Sequence, residues 1–153
     1  MCERCVFLGL KSFKWCQLVP LYSVYVSSTM MRAAAILELP IVVTEQYPER
    51  LGATVDELQP HIPEGHPAIA KKLFSMCTPE VCERLDEMPE RTQAVIMGLE
   101  AHVCVLQTAM DLTDRGLEVF VLVDGQGTLV YWPSTIQHVH ELETHSRVCD
   151  CLI

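Results

Sequence analysis

Apolar residues along this chain fall into short runs set between amphipathic stretches, and the two alternate. Ala94 to Met97 is a four-residue apolar run of the buried-strand type, broken by Gly98. From about His102 to Arg115 the pattern turns amphipathic, and Gly116 closes it as a helix C-cap glycine would. Leu117 to Val123 is a second, Val-rich strand that ends on Asp124. Strand, helix and strand with short joints make a βαβ unit, whose strands should run parallel. The same alternation extends upstream. Ser27 to Leu39 reads as a helix with Met30, Met31, Ala34, Ile36 and Leu37 on its apolar side, stopped by Pro40. Ile41 to Thr44 is a β-branched strand, and Ala68 to Met76 should contain another. Thr54-Val-Asp-Glu57 has the form of a capping box at the start of a short helix. Thr78-Pro79-Glu80 marks a second helix start, with Val81, Leu85 and Met88 as its stripe. Val6 to Leu10 is a further apolar run that can form a strand. Strands alternating with helices predict an α/β fold with a parallel sheet.

Within this pattern Cys104 stands out. It falls in the first turn of the predicted crossover helix, just past the carboxyl end of a strand, where ligands of open α/β sheets sit. Unpaired N–H groups and the helix dipole at such a place favour a thiolate, and the same N–H groups can receive an oxyanion. The alternative is a buried structural cysteine, a common fate for this residue type. His102 lies two residues away and does not share a helical face with Cys104, so it reads as a rim residue.

The segment G-L-E-A-H-V-C-V-L-Q-T-A, Gly98 to Ala109, resembles the nucleophile segment of the isochorismatase-like cysteine hydrolases. Three other stretches carry the same resemblance: L-P-I-V-V-T-E-Q-Y-P at Leu39 to Pro48, K-x-x-F-S-M at Lys71 to Met76, and D-R-G-L-E-V at Asp114 to Val119. The vertebrate isochorismatase domain-containing proteins are the nearer look-alikes. The resemblance covers about Ser27 to Gly125. It divides the chain into a divergent segment 1–26, an isochorismatase-like domain 27–125 and a divergent tail 126–153. It implies a three-layer αβα fold on a parallel, doubly wound, Rossmann-like sheet, here incomplete.

The resemblance also implies site residues. Cys104 matches the nucleophile and Lys71 the catalytic lysine, four residues before Ser75. Lys72 is excluded because adjacent strand residues face opposite sides, and for either lysine the alternative is a surface position. Glu45, Gln46 and Tyr47 leave the end of a strand near the substrate pocket, or else form a polar turn. The Leu99–Glu100 peptide is expected to be cis, shaping an oxyanion site that includes the N–H of Val103. The third member of the family's Cys-Asp-Lys triad is an aspartate at the end of the first strand. Here no Asp precedes Asp56. If Val6 to Leu10 serves as that strand, Leu10 or Lys11 stands where the carboxylate should be. The expectation is an amide-type hydrolase that is weak or inactive, with a non-catalytic binding protein or an unstable truncated isoform as alternatives.

Composition narrows the setting. Half of the 153 residues are apolar, enough for one domain with a core. The net charge of −9 argues against nucleic acid as a partner. Its acidic weight lies in residues 45–118, with fourteen Asp or Glu against six Lys or Arg, read as a solvated surface. The eight cysteines are scattered and no secretory signal is evident, so a reducing, cytoplasmic setting is the simpler assumption. Lys11 and Lys14 add a faint mitochondrial flavour. Cys2, Cys5, Cys149 and Cys151 could gather as a zinc site, but nothing else in the sequence supports one. His61 and His66 lie in a proline-rich loop without the Asp-His metal motif of nicotinamidases. No metal and no cofactor are expected. No run of 18 apolar residues exists, so no membrane span is expected. The partners are then a small-molecule substrate or ligand and, as the resemblance implies, further copies of the chain in a homo-oligomer.

Overall fold

A computed structural model describes residues 5–10, 21–98 and 101–122. Five strands form one sheet: β1 (Cys5–Leu10), β2 (Ile41–Gln46), β3 (Ile69–Lys71), β4 (Gln93–Met97) and β5 (Glu118–Val121). Their order is β3-β2-β1-β4-β5, and every neighbouring pair is parallel. The N-terminal run Cys5–Leu10 thus supplies the central strand. Leu8 stands opposite Val42 on one side and Ile96 on the other. The chain winds outward from β1 through β2 to β3, then crosses back to β4 and on to β5. That reversal makes the carboxyl ends of β1 and β4 the switch point, where a crevice opens in doubly wound sheets.

Side chains alternate between the two faces of the sheet, and each face has its own core. Val6, Leu8, Val42, Ala94, Ile96 and Val119 lie on one face. They pack with Val81 and Leu85 of α3 (Pro79–Asp86) and with Ala109 and Leu112 of α4 (Leu106–Asp114). Ile41, Val43 and Met97 lie on the other face, under Met31 and Ala34 of α1 (Leu21–Ile36) and Leu58. Helices on both faces of a parallel sheet give the expected three-layer αβα architecture. Among the described residues no helix is long and apolar enough to cross a membrane.

Local chemistry explains where elements start and stop. Thr78 caps α3 by accepting the Val81 N–H, and Pro79 fills the first helical position. α1 starts earlier than Ser27 and stops at Ile36, short of Leu39. Its end is a Schellman turn: Leu39 N–H reaches Ala34 O at 2.9 Å and Glu38 N–H reaches Ala35 O at 3.2 Å. Glu38 takes the left-handed position, φ 55°. Ending there leaves Ile36 and Leu37 exposed, not on the buried side of the helix as the apolar pattern predicts. A four-residue helix, α2 (Pro48–Leu51), follows β2. The predicted capping box at Thr54 does not form. The Thr54 hydroxyl donates to the Glu45 carboxylate at 2.5 Å instead, and the following residues make a turn and a 3₁₀ segment, Gln59–His61. The Glu45 carboxylate takes both the N–H and the hydroxyl of Thr54, which turns this residue back toward β2 and not into a helix start.

The loop between β3 and α3 carries Cys77. Burial pushes its thiol up from 9.0 to about 11, against a smaller opposing effect of the Ser75 hydroxyl. Between those values the unfolded chain loses the proton while the folded chain keeps it. Stability should therefore fall as pH rises from about 9 to about 11. The loss should be about 1–2 kcal/mol once solvent screening at this half-buried position is allowed for. Urea unfolding across that range should show a steeper decline for the wild type than for Cys77→Ser, and parallel declines would contradict this assignment.

Candidate active site

Four chain segments reach the carboxyl edge of the sheet. β1 ends on Leu10, β2 on Gln46 and β3 on Lys71, and the turn after β4 carries Cys104. This turn, Ala101–Val105, is π-helical before the chain tightens into α4. Cys104 therefore sits in a widened turn, not in the first turn of a regular α-helix. Single π turns inside helices are uncommon and concentrate at functional sites. The Cys104 side chain is only 9% exposed and belongs to the core on the α3–α4 face.

Lys71 is 4% exposed, whereas Lys72 is exposed, as strand alternation requires. A buried ammonium needs partners for its three donors. Lys71 Nζ has all three: Gln46 Oε1 at 2.5 Å, Leu73 O at 2.8 Å and Phe74 O at 2.8 Å. A neutral amine has only two N–H groups, so three acceptors select the ammonium form. Burial still draws the Lys71 pKa below the ordinary 10.5, while the Cys104 thiolate pulls it back up. That attraction is reciprocal, so the Lys71 charge favours the Cys104 thiolate. Among the described residues no carboxylate contributes to the shift at Lys71.

β2 runs on through Glu45 and Gln46, which pair with Ala70 and Lys71 and do not form a turn, and together with Tyr47 they complete the edge. Gln46 holds Lys71 through its oxygen and Lys72 O through its amide nitrogen at 3.1 Å. Tyr47 N–H donates to Lys71 O at 2.7 Å. Tyr47 is left-handed, φ 42°, an uncommon conformation for an aromatic residue. Its ring lies beneath the Lys72 ammonium, 4.7 Å from the centroid, with the Arg50 guanidinium at 5.7 Å. Glu45 accepts the Thr54 N–H at 2.7 Å as well as its hydroxyl, so this carboxylate fastens the loop. Val103 packs half-buried against the core. Leu99, Glu100 and the peptide between them lie outside the described residues, as does Lys11.

Thr108 was not anticipated from the sequence. It is fully buried, donates its hydroxyl to Cys104 O at 2.6 Å and accepts the Met76 N–H at 3.0 Å. Its place four residues after Cys104, on the same helical face, was the available signal. Elsewhere, Cys5 sits within β1 and donates to Gln93 Oε1 at 3.2 Å, while Cys2, Cys149 and Cys151 lie outside the described residues. Ser28 Oγ meets His61 Nε2 at 2.9 Å. Among the described residues no three His, Cys, Asp or Glu side chains gather as a metal site.

The isochorismatase domain pattern matches residues 22–141. The chain is 45% identical over 101 residues to human isochorismatase domain-containing protein 2, covering 66% of this chain and 47% of that protein. It therefore spans about half the length of the curated relatives it matches. Among solved structures, MAR1 ribonuclease from Caenorhabditis elegans superposes with a TM-score of 0.82 at 31% identity, covering 95% of this chain and 76% of that one. The Escherichia coli YcaC gene product, described as an octameric hydrolase of unknown specificity, superposes with a TM-score of 0.80 at 19% identity, covering 94% and 72%. With its αβα fold and this breadth of match, the chain belongs to the isochorismatase-domain family.

Proposed function

We propose that the chain is a hydrolase of amide-type small molecules that works through Cys104 and works weakly. The observation that carries this reading is the buried Lys71 ammonium at the carboxyl end of β3, its three donors engaged, on the same sheet edge as the turn that bears Cys104. In the proposed reaction the Cys104 thiolate attacks the amide carbonyl carbon. The developing oxyanion is held by backbone N–H groups near Val103 and Cys104, in the turn before α4. The tetrahedral adduct expels the amine, which takes up a proton, leaving a thioester on Cys104. Water then cleaves the thioester to a carboxylic acid and restores the thiol. Gln46 at the end of β2 and Tyr47 just beyond it flank the proposed substrate position, and Glu45 fastens the following chain through Thr54.

The expected weakness follows from the sequence. No aspartate precedes Asp56, so β1 brings no aspartate to take the thiol proton. All three donors of Lys71 are engaged, so its part is a fixed charge and not a proton relay. That same saturation, together with the near-complete burial of Cys104, favours one second reading: a scaffold that binds a small molecule without turning it over. The two differ in thiol chemistry. Under the hydrolase reading, iodoacetamide at pH 7 should modify Cys104 at least about tenfold faster than an ordinary thiol, the rate enhancement expected of a thiolate-favouring site. Peptide mass spectrometry reads this directly. If Cys104 alkylates no faster than the other seven cysteines, and ligand binding survives Cys104→Ala, the scaffold reading replaces the hydrolase.

We infer a cytoplasmic setting from the sequence, whose eight cysteines are scattered without the spacing of a disulfide framework. A homo-oligomer is the assembly we infer, supported by the octameric E. coli neighbour and by the exposed Ile36, Leu73 and Phe74 side chains. The charge of −9 weighs against extending to this chain the ribonuclease activity in the C. elegans neighbour's name.

A further inference from the structure

Two groups that must act together in the proposed reaction sit on different elements, Lys71 at the end of β3 and Cys104 in the turn before α4. Two sets of hydrogen bonds, linked by the short stretch of backbone from Phe74 to Met76, lie between them. Lys71 Nζ gathers the carbonyls of Leu73 and Phe74, curling the chain after β3 around the ammonium. Two residues on, the Met76 N–H donates to Thr108 Oγ1 at 3.0 Å, and Thr108 Oγ1 donates to Cys104 O at 2.6 Å. Met76 and Thr108 are both fully buried, so water cannot substitute for either bond without repacking. A hydroxyl is suited to this place because it donates once and accepts at the same time. A valine of nearly the same shape can do neither.

We propose that Thr108 is a positioning residue. By clasping Met76 and Cys104 with one hydroxyl, it fixes the thiol-bearing turn against the loop wrapped around the Lys71 ammonium. This inference rests on Cys104 being the nucleophile. It adds that the spacing between cation and thiol is set by a side chain touching neither reacting atom. The bond to the Cys104 carbonyl holds the backbone of that residue, and the bond to Met76 holds the far end of the Lys71 loop. Removing the hydroxyl releases both at once.

The test is the pH profile of Cys104 alkylation by iodoacetamide, read at that residue by mass spectrometry in the full chain. Thr108→Val should move the midpoint upward by about one pH unit, equivalent to an about tenfold slower reaction at neutral pH. Thr108→Ser, which keeps the hydroxyl, should retain the wild-type midpoint. In a Lys71→Met background, Thr108→Val should shift the profile no further, because the charge it positions is gone. Thr108→Ala removes the hydroxyl without bulk and answers the same question should the valine variant lose its far-UV circular dichroism. A wild-type midpoint in both Thr108→Val and Thr108→Ala, or an undiminished shift without Lys71, would overturn the positioning role and leave the nucleophile intact. An ordinary thiol profile in the wild type would instead sink the nucleophile reading, and the positioning role with it.

Discussion

Lys71→Met slows alkylation of Cys104 at neutral pH by about tenfold or more, because removing an opposite charge beside a thiolate disfavours the reactive form. The expectation comes from two features of Lys71. It is buried, so its field is not diluted by solvent, and the Cys104 thiolate acts on it in return. Methionine keeps much of the side-chain length and removes the charge. It also strands the carbonyls of Leu73 and Phe74 and the oxygen of Gln46, each of which loses its donor. Some loss of stability should accompany the slower chemistry, about 1–3 kcal/mol for each acceptor that stays buried and unpaired. The two effects can be separated. Lys71→Arg keeps a positive charge but cannot present three donors at one point, so it should hold more of the alkylation rate than methionine does. The measurement is the second-order rate of iodoacetamide with Cys104 across pH 6–10, with urea unfolding alongside. An unchanged rate in Lys71→Met would mean that Cys104 reacts, or fails to react, for reasons unconnected with this cation.

Much of the architecture was legible because hydrophobic periodicity is a direct record of burial. The four apolar residues Ala94 to Met97 became β4, and the alternation of Ala94 and Ile96 against Val95 and Met97 assigned its two faces. Strand alternation also chose between two adjacent lysines, placing Lys71 inside and Lys72 outside. The Thr78–Pro79 start of α3 was legible because a cap is encoded within three or four residues. Features settled by distant partners were not legible. Nothing local to Thr54 announces that its hydroxyl will answer the carboxylate of Glu45, nine residues back. Nothing local to Thr108 announces Met76, 32 residues away. The end of α1 was misplaced because a proline is conspicuous, whereas a glutamate accepting a left-handed backbone at position 38 is not. The π-helical turn under Cys104 is likewise invisible to a pattern that counts 3.6 residues per turn.

The N-terminal strand poses the sharpest question, and substitution there should give the largest gain. β1 is fully integrated, hydrogen-bonded to β2 from Phe7 to Leu10 and to β4 from Cys5 to Gly9. The sheet therefore has its central strand, and what the family resemblance expects in addition is a carboxylate at that strand's end. Leu10 is the last residue of β1, in register with Thr44 of β2. Placing an acid there should supply a general base to the thiol, a step commonly worth about 10²–10⁴-fold in rate. Leu10→Asp should then raise the steady-state hydrolysis of small primary and carbamoyl amides by that order, assayed by amine release. Lys11→Asp is the companion variant, because the resemblance leaves either position open. The gain must vanish in the double variant with Cys104→Ala, which separates thiol catalysis from general hydrolysis by an added carboxylate. It must also shrink in the double variant with Lys71→Met, since an acid brought into this edge depends on the ammonium to stay ionised. If both acid variants fold, as judged by cooperative urea unfolding, and neither raises amide turnover above the wild type, the absence of the aspartate is not what limits this site. The scaffold would then be a binding fold whose buried cysteine and lysine hold the sheet edge together and do no chemistry on a substrate.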